Sequence, residues 1–348
     1  MSHVVDRQRR SFLAGAAAGL VAAELARPLP ARAASPGSST PAGARDGAHG
    51  IGPIRQLRAG ELDVGFHEAG PADGLPVLLL HGYPYDIHSY ADVAPRLAAR
   101  GCRVIVPWLR GYGSTRFLRA DAPRNAQQSA VALDQVALLD ALGIERAVVV
   151  GYDWGARTAC VMGALWPERC LGIVSVGGYI VTNLAASTRP LPAETEHAWW
   201  YQYYFATENG RAGLAAHRRD IARILWRTNS PQWRFDDATF ERSAAAFDNP
   251  DHVDIVIHNY RWRLGLAAGQ PGFAGHEKRL AARPVISVPA LTIDGDSSGI
   301  GHATDGSGYA ARFGDHRGHR VLQAGHNVPQ EAPQAFADAV WSLASALR

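Results

Sequence analysis

The sequence predicts an α/β fold: a mostly parallel central sheet with helices on both faces and a helical cap inserted into it. Three observations carry this. Short aliphatic and β-branched runs, at 76–80, 102–107 and 148–150, alternate with longer segments of helical character, the pattern of parallel strands buried on both faces. The alternation stops near residue 184 and resumes near 284, and the stretch between holds five of the nine tryptophans (199, 200, 226, 233 and 262). Finally, Val148, Val149 and Val150 run into Gly151-Tyr152-Asp153-Trp154-Gly155 and straight on into a helix-forming stretch, so Asp153 sits at the tip of a sharp strand-to-helix turn.

In chain order, the first 33 residues hold five arginines (7, 9, 10, 27 and 32) against Asp6 and Glu24, which accounts for the whole formal charge of +3. The remainder is neutral, so the composition implies no nucleic-acid partner. Arg9-Arg10 followed by Ser-Phe-Leu, a short mild apolar stretch and Ala31-Arg32-Ala33 resembles a twin-arginine export signal. The apolar run is too short to span a bilayer and is broken by Glu24, so no stable membrane insertion is expected and the chain is expected to be periplasmic or extracellular. The three cysteines (102, 160 and 170) fall in predicted strand and helix and suggest no disulfide framework.

The expected organisation is a signal peptide at 1–33, a linker at 34–50, a first core segment at 51–183, a helical cap at 184–283 and a second core segment at 284–348. The core opens with a hairpin (54–57 and 62–68) and a buried strand (76–80) that leads into His81-Gly82-Tyr83-Pro84. Next come a helix containing Leu97, a strand at 102–107, and the loop Leu109-Arg110-Gly111-Tyr112-Gly113. A helix at 125–142 carries apolar residues at 131, 133, 136, 138 and 139 and delivers the chain to the central strand. After the helix at 156–166 and a strand at 172–176 the cap intervenes. Strands at 289–294 and 319–322, the turn Ala324-Gly325-His326 and a C-terminal helix complete the chain.

An aspartate at such a turn suits displacement at saturated carbon, because the ester it forms can then be cleaved by water at the carboxylate's own carbonyl. His326, on a loop after a strand, can act as general base on that water. His81-Gly-Tyr-Pro, Arg110-Gly-Tyr-Gly, Gly151-x-Asp-x-Gly and Gly325-His326, in this order and spacing, resemble the α/β-hydrolase fold, and the subgroup they are most similar to is the epoxide hydrolases. The resemblance covers about residues 54–348.

It implies a covalent Asp153 ester that His326 hydrolyses, with an oxyanion hole from the backbone N–H groups of Tyr83 and Trp154. It also implies a pair of cap tyrosines on the epoxide oxygen, which residue by residue are Tyr201 and Tyr260. Tyr203 or Tyr204 are alternatives to the first. The helix expected around Tyr260, capped by Asn249 with Pro250 at its first position, also places Val253, Val256, Tyr260 and Leu264 on one face, as a plain cap core would.

The family's acid position falls on Ser298, and the alternative position falls on Gly177-Gly178, so neither holds a carboxylate. Asp296 is the nearest substitute and Asp294 the next. No metal or organic cofactor is implied. The expected substrate is a small apolar or aryl epoxide, giving a vicinal diol. A hydrolytic haloalkane or haloacid dehalogenase acting on an organohalide is the alternative. Haloacetate dehalogenases place Arg directly after the nucleophile; here Arg157 comes three residues later and is expected to be carried round the helix. A ligand-binding homologue with impaired turnover is a third reading, motivated by Ser298.

Overall fold

Leu75–Leu80 and Ala147–Gly151 pair in parallel at the centre of a mixed sheet, and every residue of the latter strand is buried. The computed structural model describes residues 50–187 and 189–348; the twin-arginine segment and residues 34–49 lie outside the described residues. The strands are β1 (Ile54–Ala59), β2 (Leu62–Ala69), β3 (Leu75–Leu80), β4 (Cys102–Pro107), β5 (Arg116–Phe117), β6 (Ala147–Gly151), β7 (Cys170–Val176), β8 (Ile286–Gly295) and β9 (Phe313–Leu322). Their order is β1-β2-β4-β3-β6-β7-β8-β9, with β5 added to β2. Pairing is antiparallel around β2 and parallel from β4 through β9. The aliphatic runs of β3, β4, β6 and β7 form the buried centre of the sheet.

Several elements differ from the sequence expectation. β9 begins six residues early: Phe313, Gly314, Asp315, His316, Arg317 and Gly318 lie on a sheet edge and mostly keep partial exposure, so no apolar run marks them. The helix before β6 starts at Gln128, because Asn125 Oδ1 accepts the Gln127 N–H (2.9 Å) and holds the chain in a turn before it. Leu133, placed on its apolar face by periodicity, is 37% exposed. The helix carrying Tyr260 runs His252–Arg263, with Asp251 at its N-cap. Asn249 instead accepts the Asp251 N–H (2.8 Å) and donates to the carbonyls of Gly113 and Thr115, tying the helix entry to the core.

Between β7 and β8 the described residues form helices and no strand: Ala193–Ala198, Trp200–Tyr204, Glu208–Asn229, Asp237–Ala244, His252–Arg263 and Ala274–Ala281. No helix among the described residues is long and apolar enough to cross a membrane. Cys102, Cys160 and Cys170 are free and buried. Arg110 is buried against Asp134 in a two-pronged contact (2.7 and 2.6 Å) and reaches Glu61 (2.8 Å), so it pins the loop after β4 to the helix Gln128–Ala141.

Trp226 joins the helical insertion to the sheet. It is fully buried, stacks on Tyr85 with centroids 5.1 Å apart, and its indole N–H donates to the Pro84 carbonyl at 2.7 Å. Trp226→Phe preserves most of the apolar contact but strands that buried carbonyl. It is expected to lower the unfolding free energy by about 1–3 kcal/mol in urea denaturation; an unchanged midpoint and slope would show that the bond contributes nothing.

Candidate active site

Parallel pairing sets Leu80 opposite Gly151, so the turn after β3 runs beside the turn after β6. The approach is close. A Cβ on Gly82 would lie 2.5 Å from that of Asp153, and one on Gly155 would lie 1.9 Å from the Leu80 carbonyl oxygen, so both positions require glycine. Asp153 has φ 51° and ψ −120°, a conformation that strains a non-glycine residue by about 1–3 kcal/mol. It is held there by neighbours. The Arg157 N–H donates to the Asp153 carbonyl (3.0 Å), and the Tyr83 N–H donates to Asp153 Oδ1 (2.8 Å).

His81 fixes the partner turn. The Leu109 N–H donates to His81 Nε2 (3.1 Å), which puts the ring proton on Nδ1, where it is donated to the Gly82 carbonyl (3.0 Å). Burial lowers the pKa of this ring, in keeping with a neutral tautomer. Tyr83 N–H thus occupies the first expected oxyanion position. The N–H of Trp154 opens the helix Trp154–Leu165, where the first N–H groups have no intrahelical acceptor.

His326 Nε2 stands 3.5 Å from Asp153 Oδ2, close enough for charge attraction and long for a hydrogen bond. Burial pushes the Asp153 carboxyl up, but the imidazole, the Arg157 charge and the Tyr83 N–H outweigh it, leaving the carboxyl below its ordinary value. The His326 loop is held from two sides. Ser230, at the end of the long helix Glu208–Asn229, accepts the His326 N–H (2.9 Å) and donates to Glu331 (2.6 Å), while Glu331 also accepts the N–H groups of Gly325 (2.7 Å) and Asn327 (3.0 Å).

The expected acid does not reach. The Asp296 N–H donates to the Leu322 carbonyl (2.9 Å), so the chain at 296 is still bound to β9, and its exposed carboxylate accepts the Ala324 N–H (3.2 Å). Asp294 is committed to Thr304 and Tyr309 (2.9–3.3 Å). Among the described residues Asp153 is the one carboxylate in ion-pair contact with His326.

Both expected tyrosines are brought to the site. Tyr201 (2% exposed) and Tyr260 (1% exposed) meet edge to face at 5.4 Å. Tyr201 lines a cavity of about 310 Å³ together with Asp153, His326 and Ser298. Tyr203 is 38% exposed, and Tyr204 packs on Trp200 and Phe205. Trp154 Nε1–H donates to the Tyr260 hydroxyl (3.3 Å), leaving that hydroxyl's own proton for another acceptor. Burial raises both phenols, Tyr201 to about 12 and Tyr260 well above its ordinary value, so both stay protonated at neutral pH.

A family model described as the alpha/beta hydrolase fold matches residues 76–333. The chain belongs to the α/β-hydrolase fold family. Within that family it is epoxide hydrolase-like. It is 42% identical to "Epoxide hydrolase A" of Mycobacterium tuberculosis over 289 residues, covering 76% of this chain and 89% of the relative. "Epoxide hydrolase B" of the same organism is 37% identical over 146 residues, a match spanning 38% of this chain and 40% of that relative's length. A solved structure of a candidate epoxide hydrolase from Klebsiella pneumoniae superposes with a TM-score of 0.82 at 53% identity, covering 84% of this chain and 97% of that one.

The same cavity of this α/β-hydrolase contains two cations that sequence reasoning did not place there, Arg157 and Arg263. Arg157 was expected to be carried round the helix. Counted from Asp153, however, it is the fourth residue on, and positions i and i+4 share a helix face. Arg263 is three residues beyond Tyr260 and again shares its face; counting from the two motif residues is the signal that finds both.

Glu331 and Asp296 separate the group that holds the His326 loop from the one that does not. Glu331→Gln replaces a carboxylate surrounded by three donors and is expected to lower stability by about 1–3 kcal/mol. Asp296→Asn keeps an acceptor at an exposed position and should change it by less than about 0.5 kcal/mol. Urea denaturation of the two variants showing the opposite order would contradict this assignment.

Proposed function

We propose that the protein hydrolyses epoxides to vicinal diols through a covalent ester on Asp153. The observation that carries this reading is the convergence on one cavity of a carboxylate at a strained elbow, a histidine 3.5 Å from it and the protonated cap phenol of Tyr201, with the protonated phenol of Tyr260 packed edge to face against Tyr201 at 5.4 Å. Asp153 Oδ1 is engaged by the Tyr83 N–H, so Oδ2 is the free nucleophile. It attacks an epoxide carbon, the ring C–O bond breaks, and the oxygen that takes the electron pair receives a hydrogen bond from the phenols. Water then gives a proton to His326 and adds to the ester carbon. Negative charge gathers on Oδ1, where Tyr83 N–H already lies; collapse breaks the bond between the ester carbon and the substrate oxygen, the departing alkoxide takes the proton from His326, and the new carboxyl group gives up its own proton to the oxygen freed by ring opening, so diol, carboxylate and neutral imidazole result.

The Trp154 indole supports this reading over dehalogenation. Its N–H is given to the Tyr260 hydroxyl (3.3 Å) and so is engaged within the protein instead of standing free for a leaving halide.

The test is a panel of aryl epoxides and haloalkanes with diol and halide release measured side by side, on the wild type and on Tyr201→Phe and Tyr260→Phe. Diol formation is expected, with each variant slowing single-turnover ring opening by about 10- to 100-fold, the value of one charge-assisted hydrogen bond. Because the Tyr201 phenol is raised to about 12, its donating form persists through pH 10, and ring opening should fall only as pH approaches that higher value. Halide release with no diol, or both variants opening epoxides at the wild-type rate, refutes the proposal.

A further inference from the structure

Arg157 and Arg263 are cationic groups lining one cavity, where the Asp153 charge acts on Arg157 from a distance but, among the described residues, neither guanidinium has a carboxylate in direct contact. Arg157 is 6% exposed, and the Nε atoms of both side chains are buried without a hydrogen-bond partner. Among the described residues neither guanidinium forms an ion pair. The two carboxylates that share the cavity are otherwise engaged: Asp153 with the Tyr83 N–H and His326, Asp294 with Thr304 and Tyr309. Leaving buried donors unsatisfied is costly, more so for charged ones. Two adjacent cations add repulsion: burial first, then Arg263, pulls Arg157 down to about 10, still charged at neutral pH. An anion entering between them removes both penalties, whereas a neutral substrate removes neither.

We infer that the substrate carries a carboxylate, held by Arg157 and Arg263 while Asp153 attacks the ring; this rests on the epoxide reading of the same site. The placement limits where that carboxylate sits. Arg157 is four residues from Asp153, about 6 Å along the helix axis. Arg263 lies 5.5 Å over the Tyr260 ring, beside the phenols that receive the epoxide oxygen. Because both guanidinium groups line the same cavity as Asp153 and Tyr201, the anionic group sits close to the epoxide ring, and an apolar body would occupy the rest of the cavity. The two guanidinium groups also line the adjoining cleft with Tyr179, Trp199 and Gln202, and Arg189 stands further along it, so the approach to the site carries the same sign of charge. Planar guanidinium forks match carboxylate geometry, and specificity built on buried charged donors discriminates strongly against an isostere that cannot pair with them.

The test compares 3-phenylglycidate with its uncharged amide, two epoxides of the same shape. The wild type is expected to favour the glycidate in kcat/KM by at least about tenfold, and this ratio should fall to about one or below in Arg157→Met and in Arg263→Met. Calorimetric binding to Asp153→Asn, with and without Arg157→Met, reads the same preference without turnover. Equal kcat/KM and equal binding for the two compounds in the wild-type pocket would overturn the inference, and this comparison does not depend on the arginine variants folding. If neither epoxide is opened but Asp153→Asn still binds the glycidate more tightly than the amide, the carboxylate site stands and the epoxide reading falls.

Discussion

The hydrogen bond from Tyr83 N–H to Asp153 Oδ1 is the contact around which this molecule is arranged. It exists because β3 and β6 pair in a register that sets Leu80 against Gly151, and because Gly82 and Gly155 let two turns approach within distances that any side chain would block. The contact aims one carboxylate oxygen at a fixed donor and leaves the other facing the cavity. It also helps hold Asp153 in a conformation that an isolated residue would leave. A strained backbone persists only where its surroundings over-determine it, and here the β3 and β6 turns, the first turn of a helix and the His81 tautomer all do so.

The helical insertion extends that arrangement by reaching down to the turns that bear Tyr83 and His326. Trp226 bonds the carbonyl of Pro84, directly after the oxyanion turn, and Ser230 holds the backbone of His326. Both anchors come from the C-terminal end of one helical segment, Glu208–Asn229, so the loops bearing Tyr83 and His326 are held from the same helical turn. From the other side of the cavity, Trp199 bonds the Ile300 carbonyl in the loop after β8. The tyrosines ride on shorter helices between these anchors, where burial keeps them protonated. A cavity walled by buried side chains strengthens the electrostatic contacts inside it, which is why two arginines without an ion-pair partner matter more there than they would on a surface.

Much of this was legible in the sequence because it is written in local chemistry. Strand, glycine turn and helix around Asp153 follow from residues 148–166, and the apolar runs of β3, β4 and β6 could be placed almost to the residue. The pairing of Tyr201 with Tyr260 came from resemblance, and the structure selects Tyr201 over Tyr203 and Tyr204 through burial that no pattern in an all-aromatic segment reveals. What could not be read depends on loop paths. Asp296 lies two residues from the expected acid position, but a backbone bond to Leu322 extends the ladder past the end of β8 and turns its side chain onto Ala324. Likewise nothing in the sequence shows that Glu331, five residues after His326, folds back to grip the His326 loop.

Among the described residues Asp153 is the one carboxylate in ion-pair contact with His326, which divides the two half-reactions of the proposed mechanism. In the proposed mechanism, esterifying Asp153 removes its negative charge and leaves the imidazolium that would form during hydrolysis without a carboxylate in ion-pair contact; in a serine triad neutralising that partner costs on the order of 10⁴ in kcat. Under the proposed mechanism, ester formation is therefore expected to be fast relative to ester cleavage. The most direct measurement is intact-protein mass spectrometry at short times after mixing with a reactive epoxide. A substrate-sized adduct should accumulate on the peptide containing Asp153, persist longer in His326→Gln and decay faster in Ser298→Asp. Diol production with no adduct in either the wild type or His326→Gln, or an undiminished adduct in Asp153→Asn, would contradict a covalent ester at Asp153.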